Sequence, residues 1–212
     1  MDHKNFLEKF YKNERVEMLS DGVFAIVVTL LILELRVPQL SESHSPDALW
    51  IELLKMKSKF ISFILSFLFV INLWFSHNVL FRVFVRVDNV MLWLNNLFLL
   101  VVCFVPFPTG LIGEYPDSSV AMILFGIPWV LIPVLVYSLG TYAMKKKHLS
   151  PLVDMKRYNE NSKAVLSFIP IAIIPLLISL KYPEVSFVIY MILLVAGIVL
   201  GFRVRLIKGE IE

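Results

Sequence analysis

The chain is short of cysteine and short of charge, and both shortages narrow its class. One thiol, Cys103, cannot close an internal disulfide, so no disulfide framework holds the fold. Only 17% of the 212 residues are charged while 58% are hydrophobic, with a mean hydropathy of +0.77. That balance is too apolar for a soluble domain of this length and places the chain among integral membrane proteins. No HExxH, no paired metal-ligand spacing and no oxyanion-hole glycine motif occurs, which argues against an enzyme, a fixed metal or a cofactor. No cleavable leader is evident, because MDHKNFLEKFYKNER is polar and charged; the first span is expected to insert uncleaved. There is no low-complexity tract, no appended soluble domain and no convincing internal repeat, so residues 1–212 read as one unit and an inverted-repeat transporter is not indicated.

What is present is a series of long apolar runs. Six are long enough for a bilayer, which needs about 20 residues per helix: residues 15–36, 58–84, 89–112, 119–144, 164–181 and 183–204. The expected fold class is therefore an all-α membrane protein with six transmembrane helices. Pro128 and Pro133 lie in the fourth run and Pro170 and Pro175 in the fifth, where kinks are expected. The longest connection, 37–57, is amphipathic towards its end and is expected to lead straight into the second span.

Orientation follows from lysine and arginine in the loops. Fifteen of the twenty basic residues fall on the side of both termini, among them Arg82, Arg86, Lys145, Lys146, Lys147, Arg203, Arg205 and Lys208. Arg36, Lys55, Lys57, Lys59 and Lys181 fall on the other. Both termini are thus expected in the cytoplasm. The run KKKHLSPLVDMKR is read as part of that topology signal.

The first run, RVEMLSDGVFAIVVTLLILELRV, carries two patterns at once. At about 100° per residue, Ile26, Leu30 and Leu33 share one side with Leu19 and Gly22, and Thr29 sits at its edge. Ser20 and Asp21 lie well round from that seam. At about 1.5 Å per residue, Asp21, His77, Asn78, Asn95 and Asn96 of three consecutive runs all fall roughly 10 Å deep. Ionisable groups at such depth are costly unless they bond one another or serve a function. Arg15, Ser20, Asp21, His77, Asn95 and Asn96, with the indole donor of Trp74, are read as a structural polar network. Arg15 is expected to engage a carboxylate such as Glu17 or a neighbouring subunit. A hydrolytic triad of Ser20, Asp21 and His77 is disfavoured, because adjacent Ser and Asp cannot flank a histidine. A proton relay through Asp21 and His77, as in a proton-coupled secondary transporter, is the alternative.

These residues resemble a known family. RxxxLSDGVFAIVVTLLILEL is similar to the first-helix signature RxxxFSD of the transmembrane protein 175 family, with Leu19 where the signature has Phe. LWFSHN and LNNLFLLVVCFVPF resemble its next two helices. The resemblance implies a prokaryotic, potassium-permeable cation channel in a bacterial plasma membrane, built as a homotetramer around the first helices. It implies that Ile26, Leu30 and Leu33 narrow the ion path, that Thr29 contributes to cation selectivity, and that the polar set is a packing network. Permeant K+ and other monovalent cations and the bilayer are the implied partners; no nucleic acid is.

The sequence adds its own constraint. No TVGYG-like filter and no re-entrant loop occurs, so carbonyl-ring selectivity is not available. An apolar seam ordinarily packs within its own subunit; the resemblance makes it a pore lining instead. Glu34, Glu42 and Asp47 are candidate acids at the outer mouth, opposed by Arg36.

Overall fold

The computed structural model describes residues 3–39 and 45–201, and those residues are helical apart from short connections. Helix α1 spans His3–Leu30 and tightens into a 3-10 turn at Leu31–Glu34. It is followed by α2 (Pro46–Lys55), α3 (Lys57–Phe81), α4 (Asn89–Phe104), α5 (Pro106–Glu114), α6 (Ser119–Lys145), α7 (Met155–Ile178) and α8 (Pro183–Gly201). Among the described residues, five stretches are long and apolar enough to cross a membrane: Asn13–Glu34, Lys57–Phe81, Asn89–Glu114, Ser119–Lys145 and Met155–Ile178. The sixth apolar helix, α8, is shorter. Glu42, Arg203, Arg205 and Lys208 lie outside the described residues.

Local chemistry sets most of the boundaries. Four helices start on a side-chain oxygen that accepts one of the orphan N–H groups of the first turn. Ser45 takes Ala48 N at 3.2 Å, Asp88 takes Met91 N at 3.0 Å, Ser118 takes Ala121 N at 3.4 Å, and Asp154 takes Lys156 N at 3.0 Å.

Three boundaries differ from the sequence reading. The run expected at 89–112 is two helices, α4 and α5, because Pro106 has no N–H to donate and opens a new helix at Val105. Thr109 covers that break: its hydroxyl lies 2.8 Å from the Val105 carbonyl and 2.7 Å from Ser66 Oγ on α3. The expected 37–57 connection contains a separate helix, α2. The fifth run begins at Met155 rather than at 164, because the Asp154 cap starts the helix before its apolar portion. Helices α6 and α7 each continue through their two prolines.

The larger core cluster gathers buried side chains of α1, the 3-10 turn and α3 to α8, including Phe24, Phe69, Phe98, Phe125, Trp129 and Tyr190. Phe69 stacks on Trp129 with ring centroids 4.2 Å apart. A second cluster lies at the end of the bundle that holds the 82–88 and 146–154 loops, around Val16, Phe81, Phe84, Met91 and Tyr158. There α6 approaches α7 closely at Gly140: Tyr158 donates to its carbonyl at 2.9 Å, and a Cβ on residue 140 would meet the phenol oxygen at 2.8 Å.

Candidate functional site

Helix α1 presents two unlike faces. Val16, Ser20, Phe24, Val27 and Leu31 recur at three- and four-residue spacing and are buried against α3 and α4. On the opposite side Ile26, Leu30 and Leu33 are 59%, 43% and 65% exposed. The seam residues are therefore not consumed by the protomer's own core. Leu33 belongs to the 3-10 turn, so the 100° wheel does not apply to it, yet it stays outward while Leu31 is fully buried. Thr29 is exposed beside them. Its Oγ1 lies 3.0 and 2.8 Å from the Ala25 and Ile26 carbonyls, so its proton is turned back onto its own helix and its lone pairs face outward.

Behind this face a buried hydrogen-bond chain joins three helices. Ser20 Oγ donates to the Val16 carbonyl at 2.8 Å, Asn95 Nδ2 donates to Ser20 Oγ at 3.1 Å, and His77 Nε2 lies 2.9 Å from Asn95 Oδ1. The directions follow from proton accounting. Ser20 spends its one proton on Val16 and can only accept from Asn95. Asn95 must then present its amide nitrogen to Ser20 and its oxygen to His77, so Nε2 of His77 carries a proton. The imidazole is enclosed by aromatic rings: it stacks on Phe81 at 4.2 Å and on Phe98 at 5.4 Å, and meets Phe24 edge-on at 5.8 Å.

The expected polar set is thus divided. Ser20, His77 and Asn95 come together and are buried. Asp21 does not join them: it faces outward and accepts from Trp74 Nε1 at 2.9 Å, a direct α1–α3 tie at the exposed rim. Asn96 points outward and makes no hydrogen bond among the described residues. Arg15 is exposed and, among the described residues, forms no ion pair with Glu17 or any other carboxylate. Asn95 stands between His77 and Ser20, and no hydrogen bond links Asp21 to His77. Neither a triad nor an Asp21–His77 relay is assembled within the protomer.

The aromatic enclosure was missed by the sequence reading, although it leaves a regular signal. Phe24 follows Ser20 by four residues, Phe81 follows His77 by four, and Phe98 follows Asn95 by three. Each buried polar group therefore carries a ring one helical turn on, on its own face. A cavity of about 370 Å³ opens between α1 and α3, lined by Asp21, Phe24, Ala25, Val28, Ile71 and Trp74.

The two ends of the bundle differ. At the 82–88 loop, Asp88 caps α4 and accepts from Tyr142 Oη at 2.9 Å, with His148 Nδ1 at 3.9 Å. Burial opposes its charge, but the Met91 N–H, the Tyr142 hydroxyl and the neighbouring His148 outweigh that and hold the carboxyl below its usual range. Val85 N donates to the His148 carbonyl at 2.9 Å and Ser150 N to the Val83 carbonyl at 2.8 Å, clipping this loop to the 146–154 loop. At the other end Glu34 does not stand free: its carboxyl packs on Gly110, where a Cβ would meet the carboxyl carbon at 2.8 Å. Lys59 pairs with Glu114, and Asp47 is exposed on α2. Among the described residues no group of three or more His, Cys, Asp or Glu side chains is placed to hold a metal ion.

Several known proteins are similar to this chain in sequence or in fold. The family model described as "Endosomal/lysosomal potassium channel TMEM175" matches residues 15–106, the stretch that contains the α1 seam and every member of the buried chain. A potassium channel of Streptomyces collinus is 36% identical over 145 residues, covering 66% of this chain and 69% of that one. A potassium channel of Chamaesiphon minutus is 36% identical over 132 residues, covering 61% of this chain and 64% of that one. The chain thus spans about two thirds of the length of these relatives. The crystal structure of a lysosomal potassium-selective channel TMEM175 homolog from Chamaesiphon minutus superposes with a TM-score of 0.79 at 27% identity, over 90% of this chain and 98% of that one.

Proposed function

This chain is a prokaryotic member of the TMEM175 family, and on that premise we propose that it is a potassium-permeable cation channel of the bacterial plasma membrane. Four copies assemble around their first helices, and Ile26, Leu30 and Leu33 of each copy meet on the shared axis. Each copy is one unit of six spans with both termini in the cytoplasm. The observation that carries this reading is the outward exposure of three large aliphatic side chains on a helix whose opposite face is fully used by the protomer. The stripe also lies within the stretch that the family model matches.

Conduction follows from the chemistry of such a ring. Apolar side chains strip water from an entering ion without replacing its ligands well. The more weakly hydrated K+ passes at lower cost than Na+, which gives modest selectivity. A narrow apolar ring also closes by dewetting, and slight widening readmits water and then ions. Thr29, with its lone pairs directed outward, offers the one polar oxygen on this stretch of the seam. The Ser20–Asn95–His77 chain holds α1 in its rotational setting, and the Trp74–Asp21 bond braces the rim. The transporter reading requires Asp21 and His77 in one hydrogen-bonded path, and Asp21 is engaged by Trp74 instead.

The test is a reversal-potential measurement on purified protein in planar bilayers under a potassium–sodium gradient. Current that follows voltage and reverses towards the potassium equilibrium potential supports the channel. Saturable flux that depends on a proton gradient, without such current, contradicts it.

A further inference from the structure

Helix α2 leaves most of its large apolar side chains exposed. None of its residues is buried. Leu49, Trp50, Ile51 and Leu54 are all exposed, with Trp50 at 64%. Ala48, Glu52 and Leu53 are its half-buried positions, and Asp47 and Lys55 are exposed. Glu52 pairs with Lys55 at 2.6 Å, so these two charges neutralise one another. An exposed apolar face of this kind calls for a cover.

The position of α2 indicates which cover. Only Met56 separates it from α3, and that junction is hydrogen-bonded on both sides: Met56 N donates to the Leu53 carbonyl at 3.1 Å and Phe60 N to the Met56 carbonyl at 3.1 Å. The height of α2 is therefore set by the start of a membrane span. Beyond the junction, Phe60, Ile61 and Ile64 of α3 are exposed apolar residues as well. At the junction Lys57 is exposed and makes no ion pair among the described residues, so its ammonium needs water or phosphate beside it. Exposed Trp and Lys at the end of a span are the residues that partition to the headgroup level.

We propose that α2 is an interfacial helix that lies on the lipid surface, with Trp50, Leu49, Ile51 and Leu54 in the acyl boundary and Lys57 at the lipid phosphates. It sits at the end of the bundle opposite the 82–88 and 146–154 loops and joins the end of the α1 seam to the second span. This goes beyond the conducting path and stands whether or not the seam lines a pore, since it requires only a multi-pass membrane protein.

The experiment compares wild-type protein with Trp50→Phe in vesicles of phosphatidylcholine and phosphatidylglycerol, using lipids brominated high or deep on the acyl chain. The difference between the two proteins isolates the Trp50 emission. It is expected to be lost with shallow bromolipid, to survive better with deep bromolipid, and to resist aqueous iodide. Quenching by iodide instead places the helix in water and overturns the proposal. Resistance to both bromolipid and iodide means that protein, such as a second copy, covers it, which also overturns the proposal. Leu54→Cys in a Cys103→Ser background, carrying a nitroxide, gives an independent reading: the label should be relaxed by oxygen more than by a water-soluble nickel chelate, and the reverse order overturns the proposal.

Discussion

Asn95 on α4 donates its amide to the hydroxyl of Ser20 on α1 at 3.1 Å, while Ser20 gives its own proton to the Val16 carbonyl at 2.8 Å. This pair fixes the polarity of the whole chain up to His77, and it holds the buried face of α1 in one rotational setting. A serine at this position therefore acts as a joint between helices, and its proton is not free for chemistry.

Breaking that joint should cost stability rather than alter ion chemistry. Asn95→Ala leaves Ser20 and His77 each short of a buried partner, at a cost of about 1–3 kcal/mol. Asn95→Asp should also destabilise, because a carboxylate cannot donate to Ser20 and forces it to give up Val16. Thermal melting of the detergent-solubilised protein reads both. A melting temperature equal to wild type in either variant contradicts the directional chain.

The two faces of α1 should respond differently to truncation. Phe24→Ala opens a cavity among buried rings, and the expected loss is about 3–5 kcal/mol. Ile26→Ala removes an equally apolar side chain from the exposed face, where the protomer has nothing to lose. Its effect should appear in conductance, with little change in the melting temperature of the dissociated subunit. Equal destabilisation by the two changes would mean that both faces are packed within the protomer.

Much of this was legible in the sequence, and the parts that were not share a cause. Long apolar runs give helix number and depth, so the level at which Ser20, His77 and Asn95 meet could be read from residue counts. Depth does not give rotation. Adjacent helical residues point about 100° apart, which sends Ser20 inward and Asp21 outward, and Asn95 inward and Asn96 outward. The third apolar run also continues across Pro106, whose missing N–H splits it into two helices. The α2 helix was hidden because its exposed positions mix Leu49, Trp50, Ile51 and Leu54 with Asp47 and Lys55, which leaves no clean helical face to read. Glu34 reads as a mouth acid in sequence, yet Gly110 leaves room for its carboxyl to fold back onto α5.

The loop clip at the other end predicts an acid limit to stability. The Asp88 carboxyl is held below its ordinary value of 3.8, so the folded state gains from its charge. That gain is complete above the ordinary value and is lost as pH falls through the lower folded value. Asp88→Asn keeps a capping oxygen but has no charge to lose. Melting curves recorded from about pH 5 down to about pH 2 should fall more steeply for wild type than for the variant. Parallel slopes contradict the assignment.

The most direct test of the central claim is single-site replacement along the exposed stripe, read as current. Leu30→Asn, reconstituted in planar bilayers under a potassium–sodium gradient, should raise leak conductance and move the reversal potential towards zero. A polar amide wets the ring and lowers the dehydration cost for both ions. Unchanged current and unchanged reversal potential after asparagine replacement at Ile26, Leu30 and Leu33 in turn would remove this stripe from the ion path.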